Sequence, residues 1–105
     1  MEDVKCSEFR KVISKGVVVV DFWAPWCAPC LRMGSTLEEV SKEMKGIRFI
    51  KLNVDNCKDI AHKYDIMSIP TLVIFENGIE VKRITGALDK KSVEFFIEGA
   101  IKGIK

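Results

Sequence analysis

An α/β fold is predicted for this sequence: a central mixed β-sheet of four to five strands flanked by four helices, in one domain over residues 1–105. Three observations predict it. Apolar, β-branched runs alternate with segments whose apolar residues recur at helical spacing, the order expected when helices cover a sheet of parallel strands. Asn77-Gly78 separates two further strand-like runs, a strong hairpin signal that adds antiparallel pairing. A Cys-x-x-Cys, Cys27 to Cys30, falls between the first apolar run and the first long helical stripe.

The elements follow in order. A short strand is expected around Val4. Ser7 can cap a short helix in which Phe9, Val12 and Ile13 share a face and which Gly16 ends. Val17 to Trp23 is apolar almost throughout, which suits a central strand buried on both faces. From Pro29, the positions Cys30, Met33, Leu37, Val40 and Met44 make one stripe of an amphipathic helix that Gly46 closes. Ile47 to Val54 reads as a second strand, and Cys57, Ile60, Ala61 and Tyr64 mark a short helix. Ile69-Pro70-Thr71 leads into a strand from Leu72 to Phe75, which the hairpin joins to Ile79 to Ile84. Asp89 caps a final helix whose Val93, Phe96, Ile97, Ala100, Ile101 and Ile104 form one apolar face.

The pair Cys27 and Cys30 carries the chemistry. Proline is favoured at the first position of a helix, where its missing N–H would be unpaired anyway. With Pro29 there, Cys27 lies just outside the helix and Cys30 lies in its first turn. Residues three apart on a helix have Cβ atoms roughly 5–6 Å apart, close to the separation of about 3.5–4.5 Å that a disulfide needs. The motif therefore holds two thiols or one disulfide with little backbone movement. Cys27 faces unpaired N–H groups and the positive end of the helix dipole, which stabilise a thiolate. It is the expected nucleophile, with Cys30 the resolving thiol. A four-cysteine zinc site usually needs a second closely spaced pair, and Cys6 and Cys57 are single and far apart, so redox chemistry is the better reading.

A net charge of +2 gives no electrostatic footprint for nucleic acid or a membrane surface. No apolar run approaches the roughly 20 residues of a membrane span, and Met1-Glu2-Asp3-Val4-Lys5 does not read as a signal peptide. Four cysteines without an export signal point to a reducing cytoplasm, where a Cys-x-x-Cys is catalytic and not structural.

Asp21-Phe22-Trp23-Ala24-Pro25-Trp26-Cys27-Ala28-Pro29-Cys30 resembles the active-site stretch of the thioredoxin family. Phe49 to Asp55, Ile69-Pro70-Thr71-Leu72, Phe75-Glu76-Asn77-Gly78 and Gly86-Ala87 resemble later motifs of that family in the same order. The resemblance covers essentially the whole chain. It implies the thioredoxin fold, no bound cofactor, a redox-active Cys27–Cys30 disulfide, and reduction of disulfide-containing proteins with recharging by a thioredoxin reductase. It implies a cis-proline at Pro70, a substrate-binding groove at Trp26, Ile69, Pro70, Gly86 and Ala87, and an acid/base role for Asp21 with Lys51 as its neighbour. Ala28 and Pro29, between the cysteines, belong to the same contact surface, and a monomer is expected. Three departures concern partner choice more than chemistry: Ala28 replaces the usual glycine, Leu31 a basic residue common in bacterial members, and Ser35 the proline that often kinks the helix.

Among the remaining residues, Asp21 ends an apolar strand; as a buried carboxylate its pKa should rise, and the alternative is a strand-end aspartate reaching solvent. Trp23 reads as core and Trp26 as a flat cover for the thiol. Cys57 reads as a small core residue, Cys6 as a cysteine without a local partner, and His62 as a surface residue. Rival functions are a disulfide oxidant or isomerase, a glutaredoxin, and a non-catalytic binding module. Relatives of the first kind often carry histidine where Pro29 stands, and glutaredoxin motifs usually carry tyrosine.

Overall fold

The computed structural model describes residues 1–104. Five strands, β1 (Glu2–Asp3), β2 (Val17–Trp23), β3 (Arg48–Asn53), β4 (Thr71–Glu76) and β5 (Ile79–Thr85), form one sheet in the order β1-β3-β2-β4-β5. Pairing is parallel for β1–β3 and β3–β2 and antiparallel for β2–β4 and β4–β5. Four helices accompany it: α1 (Phe9–Ile13), α2 (Ala28–Glu43), α3 (Lys58–Lys63) and α4 (Lys90–Ile104). The mixed sheet with four helices is the architecture expected from the alternation of patterns. None of the described helices is long and apolar enough to cross a membrane.

β2 is the middle strand and, as its composition demands, is buried along its whole length apart from its two ends. Its alternation divides the core. Val18, Val20 and Phe22 face a cluster with Phe9, Ile13, Ile50, Leu52, Val73 and Phe75, where Phe9 meets Phe22, Tyr64 and Phe75 ring to ring. Val19 faces the other cluster, with Met33, Leu37 and Val40 of α2 and Val93, Phe96 and Ile97 of α4. Strand side chains alternate in direction, so Asp21 shares the face of Val19, the side covered by α2.

Local signals placed most boundaries. Asn77 and Gly78 both have positive φ, 50° and 87°, the combination a two-residue type I′ hairpin requires. Asp89 caps α4 through Oδ1, which accepts the Ser92 N–H at 2.9 Å. The side chain of Ile104, expected on the α4 stripe, lies outside the described residues. The amino-terminal helix is a correction: Ser7 sits inside a 3-10 turn (Cys6–Glu8), α1 begins at Phe9, and no side chain caps either element. α2 begins one residue before Pro29 and ends at Glu43, before Gly46.

The cysteines outside the Cys-x-x-Cys need a second correction. Cys57 is buried, as expected, but it is disulfide-bonded to Cys6 across 51 positions of sequence, with Cα atoms 5.5 Å apart. β1 pairs with β3, and the Val4 N–H donates to the Lys51 carbonyl at 2.9 Å. That pairing lays the segment after β1 beside the loop after β3 and brings the two sulfurs together.

Candidate functional site

Cys27 and Cys30 stand where β2 passes into α2. Cys27 is the N-cap residue, outside the helix, and its Sγ accepts the Cys30 backbone N–H at 3.2 Å. The sulfur therefore occupies the place of a capping oxygen, against one of the unpaired donors of the helix start. The two cysteines form a disulfide with Cα atoms 5.2 Å apart. Together with Ala24 they make a small buried cluster packed by Trp23, Val54 and Ile69. Cys27 is 5% exposed and Cys30 1%, so the residue outside the helix is also the less deeply buried of the two.

Two surfaces converge on the disulfide. On one side an open groove of about 600 Å³ is lined by Trp26, Cys27, Ala28, Pro29, Val54, Ile66, Met67, Ser68 and Ile69. The Ile69–Pro70 bond is cis, and the Ile69 carbonyl oxygen lies 4.0 Å from Cys27 Sγ. Gly86, at φ 104°, donates its N–H to the Pro70 carbonyl at 2.8 Å, which fixes the end of β5 beside this loop; Ala87 follows it, exposed. Arg83 of β5 steadies the approach from α3, donating to the Tyr64 carbonyl at 2.7 Å while held by Glu80. Ile66, Met67 and Ser68 were not singled out from the sequence. Met67 is 90% exposed; a methionine off any apolar stripe, three residues before a proline, was the available signal.

On the other side a cavity of about 230 Å³ is lined by Asp21, Trp23, Cys30, Leu31, Ser35 and Lys51, among others. Asp21 is buried, and neither carboxylate oxygen has a hydrogen-bond partner among the described residues. Loss of hydration raises its pKa from 3.8 to about 7, against the opposing charge of Lys51. Lys51 is the register partner of Asp21 across β2–β3, and its Nζ lies 4.4 Å above the Trp23 ring. Trp23, expected in the core, is half-buried and forms the wall of this cavity. Trp26 is 70% exposed, and its indole N–H donates to Asp55 at 2.9 Å, a partner that sequence spacing could not reveal. His62 is exposed, as expected. Among the described residues no group of three or more His, Cys, Asp or Glu side chains is placed to hold a metal.

A disulfide between the N-cap residue and the first turn of a helix, beside an open groove, is the arrangement of a thiol–disulfide oxidoreductase. The thioredoxin family profile matches residues 1–99. The chain is 44% identical over 80 residues to a thioredoxin of Mycoplasma genitalium, covering 76% of this chain and 78% of that protein. It is 40% identical over 87 residues to a thioredoxin of Bacillus subtilis, covering 82% and 84% of the two. A solved thioredoxin structure from Plasmodium falciparum superposes with a TM-score of 0.87 at 35% identity, over 93% of this chain and 98% of that one. The chain belongs to the thioredoxin family. It is a protein-disulfide oxidoreductase that works by dithiol–disulfide exchange at Cys27–Cys30, its redox-active group being that disulfide itself.

Proposed function

We propose that the chain reduces disulfides in other proteins with Cys27 as nucleophile and Cys30 as resolving thiol. The observation that carries this is Cys27 Sγ at the N-cap of α2, accepting the Cys30 N–H, in the one residue of the pair that lines the open groove. In the reduced protein the Cys27 thiolate attacks one sulfur of the substrate disulfide. A Cys27–substrate disulfide forms, and the other substrate sulfur leaves as a thiolate. Cys30 then gives its proton to Asp21 and attacks Cys27 Sγ. The Cys27–Cys30 disulfide forms, the second substrate sulfur leaves, and the two substrate thiolates take up protons. Asp21 is suited to this because a carboxylate with a pKa near 7 accepts and returns a proton near neutral pH, and it borders the same cavity as Cys30. Lys51 sets how far that pKa rises.

The substrate groove comprises Trp26, Ala28, Pro29, Ile69 and Pro70, with Gly86 and Ala87 at its end and Met67 as an added apolar contact. The Ile69 carbonyl beside Cys27 offers an acceptor to an extended substrate strand. The chain acts as a monomeric single domain on disulfide-containing proteins and is recharged by a thioredoxin reductase, the partner with which the family generally works. A carrier that must be returned to its dithiol form belongs where reductant is supplied continuously, which supports a cytoplasmic location.

The test is insulin reduction with recycling reductase, together with trapping. Cys27→Ser should abolish turnover, and Cys30→Ser should accumulate a Cys27–substrate disulfide visible by mass spectrometry. Faster alkylation of Cys30 than of Cys27 in the reduced protein would reverse the assignment.

A further inference from the structure

The Cys6–Cys57 disulfide takes no part in the exchange described above, and two features of its surroundings give it a role. The first is access. Both cysteines line two surface depressions, one shared with Lys5 and Asn53 and the other with Asp55 and Lys58, but Cys6 is half-exposed and Cys57 is buried. The more exposed residue, Cys6, is therefore the side from which an incoming thiolate approaches the bond, with Cys57 as the leaving sulfur. Where cells keep thiols reduced, the disulfides that do occur are mostly transient, catalytic or redox-sensing, and exposed ones are the more readily reduced.

The second feature is a direct connection to the active site. The loop from Val54 to Cys57 is anchored at one end on the Cys-x-x-Cys region. The Val54 N–H donates to the Trp23 carbonyl at 2.9 Å, Val54 packs on the Cys27–Cys30 cluster, and Asp55 accepts the Trp26 indole N–H. Within the loop, Asn53 holds the Asp55 N–H through its side chain and the Asn56 and Cys57 N–H groups through its carbonyl. At the other end the loop is tied to the amino-terminal segment by the Cys57–Cys6 bond. One residue, Asn56, thus separates the reducible bond at Cys57 from Asp55, whose side chain holds the Trp26 indole.

We propose that Cys6–Cys57 is a second redox site, reduced by the Cys27/Cys30 dithiol of a second copy of this chain, and that opening it frees the Asp55 loop and so uncovers Cys27. The step balances. Cys27 of the donor attacks Cys6 Sγ, forming a Cys27–Cys6 disulfide and releasing the Cys57 thiolate. Cys30 of the donor then attacks Cys27 Sγ, releasing the Cys6 thiolate. The donor is oxidised by two electrons, the acceptor is reduced by two, and the two protons of the donor thiols pass to Cys6 and Cys57. The proposal draws its reductant from the exchange chemistry already assigned to the chain.

One experiment tests the transfer and a second its consequence. A full-length, 15N-labelled Cys27→Ser/Cys30→Ser chain, which keeps only Cys6 and Cys57 and whose peptides differ in mass from those of the donor, is mixed with an excess of reduced unlabelled wild-type chain, quenched with a maleimide and mapped by mass spectrometry. Labels on both Cys6 and Cys57 of the 15N-labelled chain are expected. A pair that stays closed, facing a donor preparation that reduces insulin, overturns the second site while leaving the exchange chemistry intact. For the consequence, alkylation of the lone active-site thiol is timed in a Cys30→Ser chain with Cys6–Cys57 closed and open. Opening should speed alkylation of Cys27 by about two- to tenfold, the range that one ordinary hydrogen bond spans, and Asp55→Ala should abolish the difference. Equal rates, or a difference that survives Asp55→Ala, overturn the coupling through Trp26.

Discussion

Asp21 is the residue whose environment can be read most directly as free energy. Its pKa rises from 3.8 to about 7 because burial removes water from the carboxylate and Lys51 offsets only part of the loss. Because the folded value is the higher one, the unfolded chain ionises first. The protonated side chain does not destabilise the fold below about pH 4, and stability falls as pH rises through the interval from 3.8 to about 7. The interval corresponds to about 4 kcal/mol above neutral pH. Asp21→Asn removes the ionisation but buries an amide, at about 1–3 kcal/mol if that amide finds no partner. The variant should therefore gain on wild type by about 1–3 kcal/mol at pH 8 and lose that advantage near pH 4. Urea midpoints across this pH range measure it; a gain independent of pH would mean that Asp21 does not titrate there. The same variant should slow resolution of a trapped Cys27–substrate disulfide, since an amide cannot take the proton of Cys30.

At the scale of elements, the end of β5 is the joint that holds the groove together. Thr71 opens β4 opposite Thr85, their hydroxyls 3.2 Å apart, and the next residue, Gly86, bonds the Pro70 carbonyl. Gly86 has φ 104°, a conformation that residues with a Cβ rarely adopt, although a Cβ placed there would meet no neighbour within 4 Å. Gly86→Ala therefore acts through backbone strain alone, and about 1–3 kcal/mol of stability should be lost. Because relaxation of that strain would shift the Pro70 loop, KM for insulin should rise more than kcat falls. Denaturation and steady-state reduction together test it, and a stability unchanged from wild type would show that the turn tolerates a side chain. The cap of α4 is a simpler case. Asp89→Ala removes the acceptor of the Ser92 N–H, and about 1 kcal/mol should be lost, with active-site alkylation rates unchanged.

For the whole molecule, the Cys6–Cys57 bond is the long-range constraint. It closes a loop across 51 positions of sequence, for which the chain-entropy model gives about 4 kcal/mol and measured disulfides more often 2–4. A Cys6→Ser/Cys57→Ala chain should unfold at lower urea by about 2–4 kcal/mol, and reduced wild type, in which Cys27–Cys30 opens as well, should fall by at least as much. An unchanged midpoint would mean that the unfolded chain is already compact enough for the bond to add nothing.

These scales also divide what could be read before the structure from what could not. Periodicity and turn chemistry are local, so the seven-residue strand β2, the α2 stripe from Cys30 to Val40, the Asn77-Gly78 turn and the Asp89 cap were all legible in the sequence. So was the asymmetry of Cys27 and Cys30, because both its causes lie within one helical turn. The burial of Asp21 followed from a strand apolar on both faces. The cis bond at Ile69–Pro70 was different: the residues alone allowed a strand opening, and only the family resemblance implied cis. Tertiary structure alone decided the rest. Cys6 meets Cys57 because β1 pairs with β3, Trp26 finds Asp55 because the ends of β2 and β3 lie side by side, and Met67 joins the groove because Arg83 holds the loop before it. These contacts depend on strand order and register, which are set by the packing of the whole sheet and leave no periodic mark on the residues that make them.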